Sequence, residues 1–377
     1  MPSLVHLHQP RYGGGGRSPT KETSPTHMAQ GHTQDYWEQT GREAILDLLQ
    51  DRFVAPWSEI EARIAVRGWK DYPKVQPLQL TAARKRLRAD RRIIEEATRH
   101  PIPVRTIRLP FPPRKKRELA RLCGSRRKKY RPYLSWSNNQ DLCGKHAEKV
   151  VLESAKAAAS DAGLYVPPQS LGEIASVNNV PLQRGPLDVL AHILELPAVN
   201  SQIPLVMEVK NIHDWIYPSA RPLWEFLVKA AELAARIPIM PVIVCVRSPW
   251  TTSQMAKDIG FLTYQMRHQI FSPAIHSHEF DKLVCEFGLV MIRHDGPLEP
   301  IVTFLTTTLR SSPPPTPPDE QIPWYKRQAH RFQVIAPVIL AHDALAGSLL
   351  DGARGRVFSS FRASAKQTFD WPSVRGW

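Results

Sequence analysis

Asp188, Glu208 and Lys210 are two carboxylates and one amine whose spacing lets a short hairpin carry all three to one point. Residues 186–194 and 203–210 each read as a strand rich in branched apolar side chains, with 195–202 as the loop between them. If the chain folds back near Ala198, residue numbers that sum to about 396 lie opposite one another, and Asp188 faces Glu208. Their Cβ atoms would then be about 4.5–5.5 Å apart. Lys210 follows two positions later, so the pleat puts it on the same face roughly 7 Å along. Facing carboxylates repel, and a cation must relieve them. Hard oxygen ligands with few other donors suit Mg²⁺, with Mn²⁺ as a substitute, which takes one or two carboxylates together with water and phosphate oxygens. An ammonium beside such an ion can position the attacking water near phosphorus and stabilise developing negative charge. The plain alternative is an edge-strand acid beside an exposed ion pair worth at most about 1 kcal/mol. Against it, Leu205-Val206-Met207 reads as a buried stretch, where charges ask for a reason.

These residues need elements to hold them. Upstream, the run from Gly144 to Glu153 opens a helix with Ala147, Val151, Ala155 and Ala158 at helical spacing, and Glu148 stands beside that buried stripe. Downstream, the order predicted is a helix over 219–236, an apolar strand over 239–246, a helix over 251–260 opened by Thr251 and closed by Gly260, and a short strand over 261–264. Over roughly residues 140–270, this order and the Asp…Glu-x-Lys motif resemble the PD-(D/E)xK nucleases, which include restriction endonucleases and archaeal Holliday junction resolvases. The resemblance implies an α/β core with a mixed central sheet flanked by helices, metal ligation by Asp188 and Glu208, and a catalytic role for Lys210. It further implies that Glu148 faces the metal, with Glu153 as the less favoured alternative. The chain departs from the pattern in placing Leu187 before Asp188, with the proline one position earlier at Pro186. Lys229, on the helix after the hairpin, is read as a phosphate contact.

The chain has 377 residues, 42% of them hydrophobic, enough for two or three domains that each bury a core. No early apolar stretch has signal-peptide form, and no apolar run reaches the length of a membrane span. A soluble, cytoplasmic protein without membrane partners is expected. Cys123, Cys143, Cys245 and Cys285 are scattered without zinc-like spacing, so reduced thiols are expected. Between Arg84 and Arg131 there are nineteen Lys or Arg against four acids, so one segment carries the whole net charge of +15. Such concentration points to a polyanion partner, because neutralised phosphates release condensed counterions.

Residues 1–34, with Gly13 to Gly16, read as a disordered tail. Residues 35–112 read as three helices and a two-stranded ribbon, the order of a winged helix-turn-helix. Ile45, Leu48, Leu49 and Phe53 mark its first helix, and a capping box at Ser58–Glu61 opens the second. The third, over 78–89, turns Leu80, Ala83 and Leu87 inward and offers Arg84, Lys85 and Arg88 to DNA, with Arg91 and Arg92 at the base of the wing. Residues 113–139 are expected to be a basic linker, with Lys128 and Lys129 as electrostatic guides and Tyr133 and Trp136 available for base stacking. The nuclease-like domain spans 140–310, including a late strand over 285–293. A proline-rich linker over 311–323 and a helical extension over 324–377 follow.

The expectation is therefore a Mg²⁺-dependent endonuclease acting on DNA, with RNA or branched DNA as other substrates. A homodimer would supply the second cut of a duplex. The rival is a non-catalytic DNA-binding regulator that keeps a nuclease-like fold as a scaffold or dimerisation unit.

Overall fold

The computed structural model describes residues 33–168, 171–194, 202–310, 323–346 and 354–369. The predicted tail over 1–34 and the proline-rich linker over 311–323 fall almost entirely outside them.

The amino-terminal module begins with α1 (Gln34–Arg52), capped by the Thr33 side chain, which accepts from the Tyr36 amide. Strand β1 (Val54–Pro56) leads into α2 (Trp57–Glu61), whose helical path continues through wider turns over Ala62–Arg67 to Gly68. Then come α3 (Pro77–Ala89), β2 (Ile94–Ala97) and β3 (Arg105–Arg108). The three strands form an antiparallel sheet in the order β1-β3-β2. Ile45, Leu48, Leu49, Ile60, Ile64, Leu80, Ala83 and Leu87 fill the core, as their helical spacing predicts. Two local expectations fail. Phe53 is 44% exposed, because it terminates α1 at φ 63° instead of continuing the apolar face. The Ser58 capping box does not form, because Pro56 leaves strand β1 and itself caps α2, which frees the Ser58 hydroxyl to bond that of Tyr130.

Residues expected to be a basic linker form α4 (Lys116–Ser137), a long helix containing Pro132. Its charges are not all free. Arg126 binds the fully buried Glu59 at 2.6 and 2.7 Å, and Arg127 binds Glu96 at 2.5 Å. Tyr130 and Tyr133 are buried, and Trp136 stacks on Phe280, so these aromatics serve packing and not base stacking.

The larger unit opens with α5 (Lys145–Ala162), ended by Gly163 in the left-handed region. Four short strands follow: β4 (Leu164–Tyr165), β5 (Leu171–Ile174), β6 (Ser176–Val177) and β7 (Val180–Pro181). The hairpin is β8 (Leu187–Leu194) and β9 (Gln202–Lys210); the loop between them lies outside the described residues. Next are α6 (Arg221–Ala234), β10 (Met240–Cys245), α7 (Trp250–Ile259), β11 (Leu262–Gln265) and β12 (Gln269–Phe271). The chain then runs through α8 (Ser277–Phe287), β13 (Met291–Arg293), α9 (Glu299–Arg310), α10 (Trp324–Ala346) and α11 (Arg354–Phe369). Helix α7 is capped by Pro249, not by Thr251, and the strand expected over 285–293 keeps only its last three residues, the first part belonging to α8.

Among the described residues, the main sheet runs β11-β10-β9-β8-β4, with β5 also on β8. β9, β10 and β11 are parallel, while β8 runs antiparallel to β9, so the sheet is mixed and the class is α/β. One face, with Val189, Leu205, Met207, Val242 and Val244, packs on α5 and α9. The other, with Leu190, Val206, Ile243 and Cys245, packs on α6, α7 and α10. Helix α10 keeps Pro337 inside it and docks Phe332, Ile335, Ala336 and Ile339 into that core. It passes so close to Gly260 that a Cβ there would sit 2.4 Å from the Gln328 carbonyl oxygen, and Gly260 has φ +92°. No helix among the described residues is long and apolar enough to cross a membrane.

Candidate active site

The hairpin pairs Val189 with Met207 and Leu190 with Val206, the register predicted from sequence. The ladder ends at the Val189–Met207 pair, and just beyond it Asp188 and Glu208 lie close enough for their charges to interact. Residue parity puts Glu208 and Lys210 on the sheet face covered by α6, where Lys229 meets Glu208. Asp188 turns one oxygen to the Val209 amide at 2.7 Å, and Lys210 Nζ donates to Glu208 Oε1 at 2.6 Å. Glu208 is 3% exposed.

Glu148 sits half-buried in the first turn of α5, near enough for its charge to feel Asp188, Lys210 and Glu208. Burial, and then the Asp188 charge, push its carboxyl up to about 7. Burial and the Glu208 charge raise Asp188 to about 6. Burial works against the Lys210 ammonium, but Glu208 and Asp188 more than offset it, so its pKa is raised. Lys210 therefore stays protonated at neutral pH and can donate hydrogen bonds to a water or a phosphoryl oxygen, but cannot take a proton from one. Glu153 bonds Lys156 at 2.8 Å on the same helix and takes no part in the cluster.

Lys229, read from sequence as a phosphate contact, is instead buried on α6. Its ammonium donates to both oxygens of Glu208, at 3.1 and 3.0 Å, and to the Pro186 carbonyl at 3.0 Å. A second group missed by the sequence reading is Asn211, directly after Lys210. Its side-chain amide donates to the carbonyls of Cys143 (3.0 Å) and Ile270 (2.5 Å), and its carbonyl accepts from the Ile270 amide (2.9 Å). Gln269 closes the network by donating to the main-chain carbonyl of Asn211 at 2.9 Å and accepting from the Tyr133 hydroxyl at 2.9 Å. The strand end carrying Lys210 is thereby fixed to α4, to the turn at Cys143 just before α5, and to β12. No periodic pattern signals either residue.

The donor set suits a hard divalent cation. An ionised carboxylate offers about four acceptor directions. Three at Glu208 are occupied, which leaves one on Oε2, and Asp188 keeps an oxygen that does not serve Val209. Among the described residues no three His, Cys, Asp or Glu side chains form a cage. A cation here would be held by Asp188 and Glu208, with water and substrate oxygens completing its shell, the habit of Mg²⁺.

The residues read as DNA contacts divide into two groups. Lys85, Arg91, Arg92 and Lys128 are exposed, and Lys129 is half exposed with a 3.1 Å pair to Glu286. Arg84 is committed internally, bonded to Glu95 at 2.7 Å and stacked over Trp57 at 4.6 Å. Arg88 is 70% exposed and reaches the same Glu95 at 3.4 Å. Cys123, Cys143, Cys245 and Cys285 are all free thiols, as expected, with Cys245 buried in β10. No protein-family model matches the chain, and neither a curated protein nor a solved structure matches it.

Proposed function

We propose that the chain is a divalent-metal-dependent endonuclease that hydrolyses DNA phosphodiester bonds, with a PD-(D/E)xK core over 140–310 and a winged-helix module over 35–112 that recruits DNA. The observation that carries this reading is a hairpin register that brings Asp188 and Glu208 near enough for their charges to interact, with Lys210 bonded to Glu208. Two carboxylates this close, with that of Asp188 raised by burial and by Glu208, are costly to keep unless a cation is meant to compensate them. Asp188 and Glu208 would hold Mg²⁺, which when bound supplies charge stabilisation at the phosphoryl oxygens. Lys210, protonated, orients the attacking water and donates to the oxygen on which negative charge builds. Glu148, on α5 and raised to about 7, feels the charges of Asp188 and Lys210, and in this reading it exchanges a proton with that water. Lys85, Arg88, Arg91, Arg92 and Lys128 supply sequence-independent phosphate affinity.

The rival, a scaffold with no catalysis, draws support from Lys229. With two ammonium groups on Glu208, the cluster is substantially neutralised without any metal. Incubating the full chain with plasmid, linear duplex, single-stranded, four-way-junction DNA and RNA, with Mg²⁺, Mn²⁺ or EDTA, separates the readings. Metal-dependent cutting of any of these supports the nuclease. Binding without cutting under every metal condition leaves the scaffold.

A further inference from the structure

Lys229 is 8% exposed, and all three protons of its ammonium are committed, two to Glu208 and one to the Pro186 carbonyl. None remains for a phosphate. The lysine thus ties α6 to the start of β8 and to β9, and it pins the Glu208 carboxylate in one orientation. It also leaves a full positive charge next to the position a second cation would take. Lys210 adds another on Oε1.

We propose that Lys229 is a positioning residue with a regulatory consequence: it holds the single open acceptor direction of Glu208 toward Asp188, and its charge keeps the affinity of this pair for divalent cations low. The proposal rests on the metal reading above. A cation entering beside two ammonium groups meets repulsion that neighbouring carboxylates only partly screen. Metal alone is then held weakly, and a DNA phosphate, bringing its own negative charge, completes the site. Cation and substrate bind as a coupled pair, each raising the affinity for the other.

The test uses the full chain, with Mn²⁺ alone as the probe, followed by the loss of the free-ion EPR signal. Lys229→Gln removes the charge and keeps two N–H donors on a side chain one atom shorter; Lys229→Met removes charge and donors together. Lys229→Gln should bind Mn²⁺ about tenfold more tightly than wild type, and adding Asp188→Asn should abolish that binding. Wild-type Mn²⁺ affinity should rise when duplex DNA is added, and Lys229→Gln should gain less, a loss of coupling that mere loosening of the fold would not produce. If Lys229→Met fails to fold, as read from its far-ultraviolet circular dichroism, the glutamine variant alone carries the affinity test. Unchanged or weaker Mn²⁺ affinity in Lys229→Gln, with wild-type binding still lost in Asp188→Asn, overturns the role of Lys229 and leaves the metal site standing. Absence of Asp188-dependent Mn²⁺ binding in wild type and variants alike overturns the metal reading and this inference with it.

Discussion

Asp188→Asn should stabilise the metal-free protein. The amide keeps an oxygen for the Val209 N–H, now met at 2.7 Å, and removes the charge that stands against Glu208. Burial and Glu208 raise the Asp188 carboxyl from 3.8 to about 6. A shift of that size corresponds to about 3 kcal/mol between the two protonation states. Asp188 is only partly buried, so water screens some of this, and a gain of about 1–2 kcal/mol is expected. The sign follows from linkage: the folded state holds this proton more tightly than the unfolded chain, so the penalty is absent below about pH 4, grows between pH 4 and 6, and is complete above. Thermal melts in EDTA at pH 8 should therefore place Asp188→Asn about 2–8 °C above wild type, taking about 2–4 °C per kcal/mol. At pH 4 the two should nearly coincide. Saturating Mn²⁺ should reverse the order, since a ligand at a hundred times its Kd adds about 2.7 kcal/mol to wild type alone. A variant that melts at or below wild type in EDTA at pH 8 would refute the crowding on which the site is argued.

Metal-dependent cleavage should rise through pH 6–7 and level off above, because Asp188 must lose a proton raised to about 6 before the cation is well held and Glu148 one raised to about 7 before it can accept a proton from the water; a pH–rate profile that is flat from 5.5 to 8 would contradict this. Replacing Lys85, Arg91 and Arg92 together by Ala should weaken DNA binding and reduce the salt slope by about one unit for each phosphate no longer neutralised. Arg84→Ala should lower the melting temperature and leave the slope nearly unchanged, because that arginine serves Glu95 and Trp57. Glu59→Ala, which strands Arg126 and Arg63 in a buried setting, should cost about 3–5 kcal/mol and expose the junction between the helical module and α4 to limited proteolysis. Asn211→Ala should slow turnover with little effect on DNA affinity, since it frees the strand end that carries Lys210; equal turnover would show that the network only stabilises the fold.

The register of the β8–β9 hairpin was legible because strands alternate with period two and the apolar runs on either side of the loop fix the fold-back point to within a residue. Helix α5 and its buried stripe were legible for the corresponding reason at period 3.6. Helix α4 was not. Its basic runs read as a solvated linker because the acids that neutralise Arg126 and Arg127 are Glu59 and Glu96, sixty-seven and thirty-one positions away. Lys229 shows the same limit, since a lysine on an apolar helix face gives no hint that its partner is a carboxylate twenty-one residues earlier on a strand. Strands β4 and β5 span two and four residues, too short for alternation to register. Helix α10 was legible as the start of the helical extension despite Pro337, whose cost within a helix is met here by packing on α6 and over Gly260.

The most direct measurement is single-turnover cleavage of an end-labelled DNA by wild type and Lys210→Ala at saturating Mg²⁺, with binding followed in parallel by fluorescence anisotropy in Ca²⁺. Wild type should cut and the variant should cut at least about a hundredfold more slowly, while the two bind DNA alike. Equal cleavage rates, or no cleavage by wild type on any substrate, would contradict the account.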